Sequence, residues 1–158
     1  MWSVANKRAG GVLDPAPSVC STCGFELWIP LAALPACDVG LYDDARFPGR
    51  MLVSLRPHFE AFELLSDELT TLFISEVQKV AATARKVLGA DRINVAILGN
   101  QEPHVHAHIV PRYGAVEPVP HKSPWDDPRQ RVRLQSSVRQ SLIDQLSAAM
   151  DDKSSFRM

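Results

Sequence analysis

The chain has 158 residues, which is enough for one domain with a hydrophobic core and terminal extensions. Hydrophobic residues make up 46% of the chain and charged residues 22%, as in ordinary globular proteins. A formal net charge of -1 gives no reason to expect a nucleic-acid footprint, and no apolar run approaches the ~20 residues of a membrane span. Residues 1–17 lack the apolar stretch of a signal peptide, so we expect a cytoplasmic protein without nucleic-acid or membrane partners.

The first half of the chain contains a predicted loose segment and a predicted strand. Residues 1–19 are rich in Ala, Gly and Pro, and we expect a flexible lead-in there. Pro48 and Gly49 form a turn signal. The following residues, 50–56 (Arg-Met-Leu-Val-Ser-Leu-Arg), have the composition of a strand, which Pro57 ends.

The middle of the chain predicts a long helix. Ser66 is a capping residue, and the two acids that follow it suit the positive end of a helix. Apolar residues then recur at helical spacing from Leu69 to Leu88, and Gly89 is a plausible stop. This spacing predicts a helix that buries one face against the rest of the fold.

Two strands are predicted after this helix. Residues 92–98 alternate, with Ile93, Val95 and Ile97 on one face and Asn94 on the other. A short turn at 99–102 leads into a second alternating segment. The order of helix, strand, tight turn and strand indicates an antiparallel pair with one face covered by the helix.

The last part of the chain predicts a second helix. Asp127 and Pro128 suit a helix cap and a first helical turn. The apolar residues that follow at helical spacing are Val138, Leu142, Leu146 and Ala149. We therefore expect a helix from about 128 to 150 within a C-terminal extension, residues 126–158.

Three of the five histidines of the chain stand at alternate positions, His104, His106 and His108. Successive side chains of a strand point to opposite faces, so these three share one face. Val105, Ala107 and Ile109 share the other face, which suits packing on a core. Such a row indicates either a metal site or a site that attacks phosphorus.

The row and its surroundings resemble a known family. His104-Val105-His106-Ala107-His108-Ile109-Val110 matches the His-x-His-x-His-x-x pattern of the histidine triad (HIT) nucleotide hydrolases and transferases. The segment 47–53 is similar to the Pro-Gly-His-x-Leu-Val strand of that family, and the Gly99-Asn100 and Pro103-His104 pairs resemble a branch related to diadenosine tetraphosphate hydrolases. The resemblance implies an α+β fold over residues 20–125, with a five- or six-stranded antiparallel sheet, one long helix and a C-terminal helix, in a homodimer.

The resemblance also implies a mechanism for the histidine row. His106 would attack the α-phosphate of a nucleotide and form a covalent nucleotidyl-histidine, while a main-chain carbonyl near His104 holds its other ring nitrogen. His108 would contact the phosphate and help to protonate the leaving group. The implied substrates are dinucleoside polyphosphates or nucleoside phosphoramidates, and this chemistry needs no cofactor.

Further residues are candidates for binding the substrate. Amide side chains suit the phosphate, and the candidates there are Asn94, Asn100 and Gln101. The family holds ribose with a residue upstream of the Pro-Gly turn, which is either Asp43 or Asp44 in this chain. Trp125 stands where related chains carry a tryptophan near the pocket, and it is a candidate for flanking the base or the leaving group.

The three cysteines are Cys20, Cys23 and Cys37, and in a cytoplasmic protein we expect thiols or metal ligands rather than disulfides. A lone Cys-x-x-Cys pair is a weak zinc signal. The resemblance implies that His58 and His104 would complete a structural zinc site with Cys20 and Cys23. Two reduced thiols without a metal remain the alternative.

Two other functions stay open at this point. One is a nucleotide-binding or scaffold protein with little turnover, which the unusual Asn100 and Glu102 before the triad keep open. The other is a metalloenzyme that uses the histidine row as its ligands.

Overall fold

The computed structural model describes residues 19–151, so the predicted lead-in lies outside the described residues except for Val19. The described chain contains a five-stranded sheet in which every pair is antiparallel. The strands are β1 (Pro30–Ala33), β2 (Cys37–Leu41), β3 (Met51–Leu55), β4 (Arg92–Ile97) and β5 (His106–Arg112), and they lie in the order β1-β2-β3-β5-β4. The predicted α+β fold is confirmed, with five strands.

The long helix, α1, covers Asp67–Leu88 as its start and stop signals predict. The Ser66 hydroxyl accepts a hydrogen bond from the backbone N–H of Leu69, and Gly89 ends the helix in the left-handed conformation. The buried stripe of α1 packs on one face of the sheet and includes Phe73, Val77, Val80 and Ala84. Neither helix of residues 19–151 is long and apolar enough to cross a membrane.

Strands β3 and β5 separate core residues from polar ones by simple alternation. Val53 and Ile109 are fully buried against the helix side. On the opposite face, His106 pairs with Ser54 and His108 pairs with Leu52 across the ladder. The histidine row therefore lies on the sheet face that α1 leaves open.

The C-terminal helix begins later than predicted. The helix α2 covers Ser136–Asp151, whereas a start near Pro128 was expected. The Asp127 carboxylate accepts hydrogen bonds from the backbone N–H and the Nε of Arg129. These bonds stabilise a local turn instead of a helix cap, and the chain runs on without helical structure until Ser136. Three residues of α2 join the same core as the sheet, namely Leu142, Leu146 and Met150.

Gly49 is expected to be intolerant of a side chain. Its φ is +86°, and a Cβ there would overlap the Leu88 side chain at the end of α1. Gly89 also has a positive φ, of +61°, but no atom lies within 4 Å of its Cβ position. Gly89→Ala should therefore cost about 1 kcal/mol of unfolding free energy from backbone strain alone, and Gly49→Ala should cost more, because the Leu88 side chain must also shift. Urea unfolding of both variants checks this, and equal losses would contradict the overlap with Leu88.

Candidate active site

His106 is held in one orientation by a main-chain group. Its Nδ1 lies 2.7 Å from the carbonyl oxygen of His104, and both histidines are buried. A carbonyl oxygen only accepts hydrogen bonds, so Nδ1 of His106 carries the proton. Its Nε2 therefore carries the lone pair whenever the ring is neutral. Burial lowers the pKa of His106 below its ordinary value, which favours this neutral form.

Phe25 covers the first two histidines of the row. Its ring stacks on His104 and on His106 with centroid distances of 4.9 Å to each. Phe25 is itself buried, and it follows Cys23 by two residues. The loop that carries the cysteine pair therefore also packs against His106. Phe25 was not predictable from the sequence, because one aromatic residue near the start of a chain has no distinguishing pattern.

His108 has a different environment from His106. Its Nδ1 lies 3.2 Å from Nη2 of Arg50, and its ring makes edge contacts with His106 and Trp125. Burial, followed by the positive charge of Arg50, lowers the pKa of His108 to about 3. This favours the neutral form of His108 at physiological pH, and its role in protonating the leaving group remains a prediction. A neutral imidazole can still donate one hydrogen bond to a phosphate.

Aromatic side chains form the wall beside His108. Trp125 lies edge-on to the His108 ring at a centroid distance of 5.4 Å, and it is 47% exposed. The Tyr42 ring lies 6.3 Å from His108. Both rings also contact the Arg50 guanidinium, at 5.4 Å and 4.2 Å respectively. Trp125 thus lies next to the histidine row, and its contact with a base or a leaving group remains a prediction.

Asn94 lies on the same sheet face as the histidine row, where its side chain is already engaged by an arginine. It pairs with Val110 across the sheet, and its side-chain oxygen accepts a hydrogen bond from Arg112. Arg112 is buried and also pairs with Glu117, while its Nη1 donates to the carbonyl oxygen of Lys122. Asn94 thus helps to satisfy a buried guanidinium through its side-chain oxygen, and its phosphate contact remains a prediction.

The two ribose candidates are also engaged within the protein. Asp44 is fully buried between Arg46 and Arg50. Burial opposes ionisation of Asp44, but hydrogen bonds from Arg46 outweigh it and keep its pKa below the usual range. The carboxylate of Asp43 accepts a hydrogen bond from the backbone N–H of Leu134 and pairs with Arg139. Both carboxylates are thus already engaged within the protein, and their contact with ribose remains a prediction.

The other two amide candidates lie in the turn between β4 and β5. Asn100 and Gln101 are exposed there, as is Glu102. His104, which follows this turn, donates its backbone N–H to the carbonyl oxygen of Glu102 at 2.8 Å. The turn therefore leads directly into the histidine row, and the phosphate contacts of its amide side chains remain predictions.

The predicted zinc ligands meet in one cluster. The ligand atoms of Cys20, Cys23, His58 and His104 all lie within 4.8 Å of one another. Nδ1 of His58 lies 3.5 Å from Sγ of Cys20, and Nδ1 of His104 lies 3.5 Å from Sγ of Cys23. Nε2 of His104 donates to the carbonyl oxygen of Leu55 at 2.7 Å, which leaves Nδ1 with a lone pair aimed at the cluster.

The chemistry of this donor set suits a tetrahedral zinc ion. Ligands of such an ion lie about 3.3–3.8 Å apart, so the cluster needs little rearrangement to hold one. The backbone N–H of Cys23 lowers the pKa of the Cys20 thiol to about 6, whereas burial raises the pKa of the Cys23 thiol. Zinc binds thiolates, so Cys20 is the ligand that ionises first. Four protein ligands leave no position for a substrate.

The fold and the site define a class of protein. An antiparallel sheet backed by one long helix presents alternating histidines on its open face, beside a Cys₂His₂ cluster. The family model described as the HIT domain matches residues 33–115, which is more than half of the chain. The chain belongs to the HIT family. This membership supports a nucleotide-directed activity of the HIT type.

Individual relatives agree with this assignment. An uncharacterised HIT-like protein of Methanocaldococcus jannaschii is 36% identical over 73 residues, which are 43% of this chain and 56% of that relative. A histidine triad protein from Bradyrhizobium japonicum has a TM-score of 0.69 at 24% identity, over 77% of this chain and 89% of that one. A zinc-bound histidine triad family protein from Mycobacterium smegmatis has a TM-score of 0.59 at 23% identity, over 81% and 87% of the two chains. These structures share the fold of this chain.

Proposed function

We propose that this protein is a nucleotidyl hydrolase or transferase that works through a covalent intermediate on His106. The observation that carries the proposal is the hydrogen bond from Nδ1 of His106 to the carbonyl oxygen of His104. It fixes the lone pair on Nε2, as a nucleophile requires, and it stabilises the positive charge that the ring gains on attack. Dinucleoside polyphosphates and nucleoside phosphoramidates are the proposed substrates.

The reaction proceeds in two displacements at the α-phosphorus. First, Nε2 of His106 forms a bond to phosphorus, while the bond to the leaving group breaks and its electron pair departs with that group. A polyphosphate leaves as an anion, whereas an amine takes up a proton from Nε2–H of His108, which regains one from solvent. Water or another acceptor then attacks the same phosphorus, loses a proton and expels His106 as a neutral imidazole. His108 donates a hydrogen bond to a phosphate oxygen in both steps, and Trp125 flanks the base or the leaving group.

Product analysis with defined substrates tests this function. Diadenosine tetraphosphate and adenosine 5′-phosphoramidate are incubated with the protein in ¹⁸O-labelled water. Release of AMP that carries one ¹⁸O atom supports hydrolysis at the α-phosphorus. Nucleotide binding without any turnover would instead support the nucleotide-binding or scaffold alternative, and turnover that requires an added divalent metal would support the metalloenzyme alternative.

We also propose that Cys20, Cys23, His58 and His104 hold a structural zinc ion. The fit of the donor set supports this, and the related Mycobacterium smegmatis protein is zinc-bound. Zinc would fix the loop that carries Phe25 against the histidine row. Its thiolate ligands suit a reducing compartment, in line with the cytoplasmic expectation.

We propose that the protein assembles as a homodimer. If β4 lies in the interface, a charged residue introduced on β4 should disrupt the dimer. β4 is an edge strand of the sheet, and Val95 on it is 47% exposed, while Ile74 on α1 and Leu98 after β4 are about 40% exposed. Exposed apolar residues on an unpaired edge suit a second copy of the chain. Val95→Lys should therefore convert a dimer into a monomer in light scattering, whereas Val132→Lys, at another exposed valine, should not. An unchanged mass for Val95→Lys would contradict this interface.

A further inference from the structure

Arg50 lies buried beside His108, where the HIT pattern has a histidine after Pro-Gly. It directly precedes β3, one residue before the pair of Met51 and Ile109, and therefore projects to the same sheet face as His108. Its Nη1 donates to the carboxylate of Asp44 at 3.2 Å, and its Nη2 lies 3.2 Å from Nδ1 of His108. The guanidinium thus bridges a buried carboxylate and the third histidine of the row.

The contact with Arg50 determines which nitrogen of His108 carries the proton. A guanidinium has only donors and stays protonated, so Nδ1 of His108 must accept this hydrogen bond. A neutral imidazole then carries its single proton on Nε2. His106 has the opposite arrangement, with its proton on Nδ1. His106 therefore presents a lone pair and the neighbouring His108 presents a hydrogen-bond donor. A separate hydrogen-bond partner fixes the tautomer of each ring.

The charges around Arg50 leave one positive charge in excess. Asp44 is shared between Arg46 and Arg50, and the neighbouring Asp127 pairs with Arg129. These side chains carry three positive and two negative charges. Among the described residues, Nε of Arg50 is a buried donor without a hydrogen-bond partner. A buried guanidinium with excess charge favours an anionic ligand nearby, because the low dielectric strengthens the attraction.

We propose that Arg50 is a positioning residue that fixes His108 as a neutral Nε2–H donor and supplies a permanent positive charge to the phosphate site. This inference rests on the proposed function and identifies what stabilises the charge of the transferred group. Phosphate recognition then needs no histidine to be protonated. The lowered pKa of His108 agrees with this arrangement, because burial and then the adjacent positive charge of Arg50 both oppose a second proton on the ring.

Four side chains face His108 from the elements packed around it. His106 faces it from the same strand, Arg50 from the start of β3, and Tyr42 from the end of β2. Trp125 faces it from a short 3₁₀ helix, Pro124–Asp126, and carries no charge. Among these neighbours, Arg50 is the permanently charged group in direct hydrogen-bond contact.

The tautomer can be measured directly on the ¹⁵N-labelled full-length protein. Long-range ¹H–¹⁵N spectra distinguish protonated from unprotonated ring nitrogens of each histidine. We expect His108 to carry its proton on Nε2 from pH 5 to pH 8 without titrating. Arg50→Met should give a mixture of tautomers and a higher pKa, and Arg50→Lys should largely restore the Nε2–H form. Arg133→Met, which removes an exposed arginine, is the matched control and should change nothing.

The contribution of the Arg50 charge to phosphate binding is tested by measuring the affinity for AMP at pH 8, where the phosphate of AMP is a dianion. Arg50→Met should weaken AMP binding by about tenfold or more, while the affinity for uncharged adenosine and the behaviour of Arg133→Met stay unchanged. Equal losses for AMP and adenosine would indicate a merely structural role for Arg50 and overturn the inference.

The spectrum of the wild-type protein alone also tests the inference, so the test stands even if Arg50→Met fails to fold. A proton on Nδ1 of His108, or titration near its ordinary pKa of roughly 6.5, would overturn it. Failure of the proposed function looks different. In that case wild-type protein would show the Nε2–H tautomer and the dependence of AMP binding on Arg50, yet release no product from any nucleotide.

Discussion

Replacing His106 with alanine is expected to lower the turnover of a nucleotide substrate by about 10⁴-fold or more. The loss is this large because the change removes the attacking atom itself, and enzymes that lose a covalent nucleophile fall by roughly 10⁴- to 10⁶-fold. Nucleotide affinity should change little, since Arg50, His108 and Trp125 all remain beside the site. The measurement is single-turnover product release together with equilibrium binding of AMP.

The matched control for His106→Ala is His121→Ala. His121 is exposed in the loop that precedes Trp125, so the same substitution there should leave turnover within about twofold of wild type. A loss smaller than tenfold for His106→Ala would contradict nucleophilic catalysis by this residue. It would favour a role for the histidine row in binding only.

Loss of the zinc ligands is expected to have the largest effect on stability. A structural zinc site stabilises the folded state because the unfolded chain does not preform it. Cys23→Ser should cost on the order of 3 kcal/mol or more, which lowers the melting temperature by about 6–12 °C in a chain of this size. Turnover should also fall, since the loop with Cys23 carries Phe25, which packs on His106.

Three comparisons separate zinc binding from ordinary packing. Metal analysis should find about one zinc per chain in wild type and in Cys37→Ser, but almost none in Cys23→Ser. The double variant Cys20→Ser/Cys23→Ser should be no less stable than either single variant, because one lost ligand already releases the metal. A chelator should lower the melting temperature of wild type and of Cys37→Ser, but not that of Cys23→Ser. Additive losses, or a wild-type protein that contains no zinc and ignores the chelator, would contradict the site.

The regular parts of the fold follow from local signals in the sequence. The helix α1 has a capping Ser66, an apolar stripe and Gly89, and each of these features acts over a few residues. The predicted start of α2 was wrong, because the Asp127 carboxylate accepts hydrogen bonds from Arg129 that compete with helix capping. β1 and β2 were not located, since they have only four and five residues and no clear alternation.

The parts of the candidate site that match the family pattern were predictable from the sequence. The parts that depend on contacts between residues far apart in the chain were much less predictable. The cluster of Cys20, Cys23, His58 and His104 assembles as the resemblance implied. The arginine partners of Asp44 and Asn94 could not be inferred from spacing, because a carboxylate or an amide upstream of a turn looks equally free to bind a ligand. Arg50 had a usable signal, since it replaces the histidine of the Pro-Gly-His pattern.

The most direct test of the central claim is an intact-mass measurement within a single turnover. Wild-type protein and the variants His106→Ala and His121→Ala are mixed with diadenosine tetraphosphate and quenched in base, because phosphorus–nitrogen bonds are labile in acid. An adenylyl adduct on wild type and on His121→Ala, which maps to the peptide with His106 and is absent from His106→Ala, is the predicted result. Turnover without any adduct on wild type, or an adduct that persists on His106→Ala, would contradict covalent catalysis at His106.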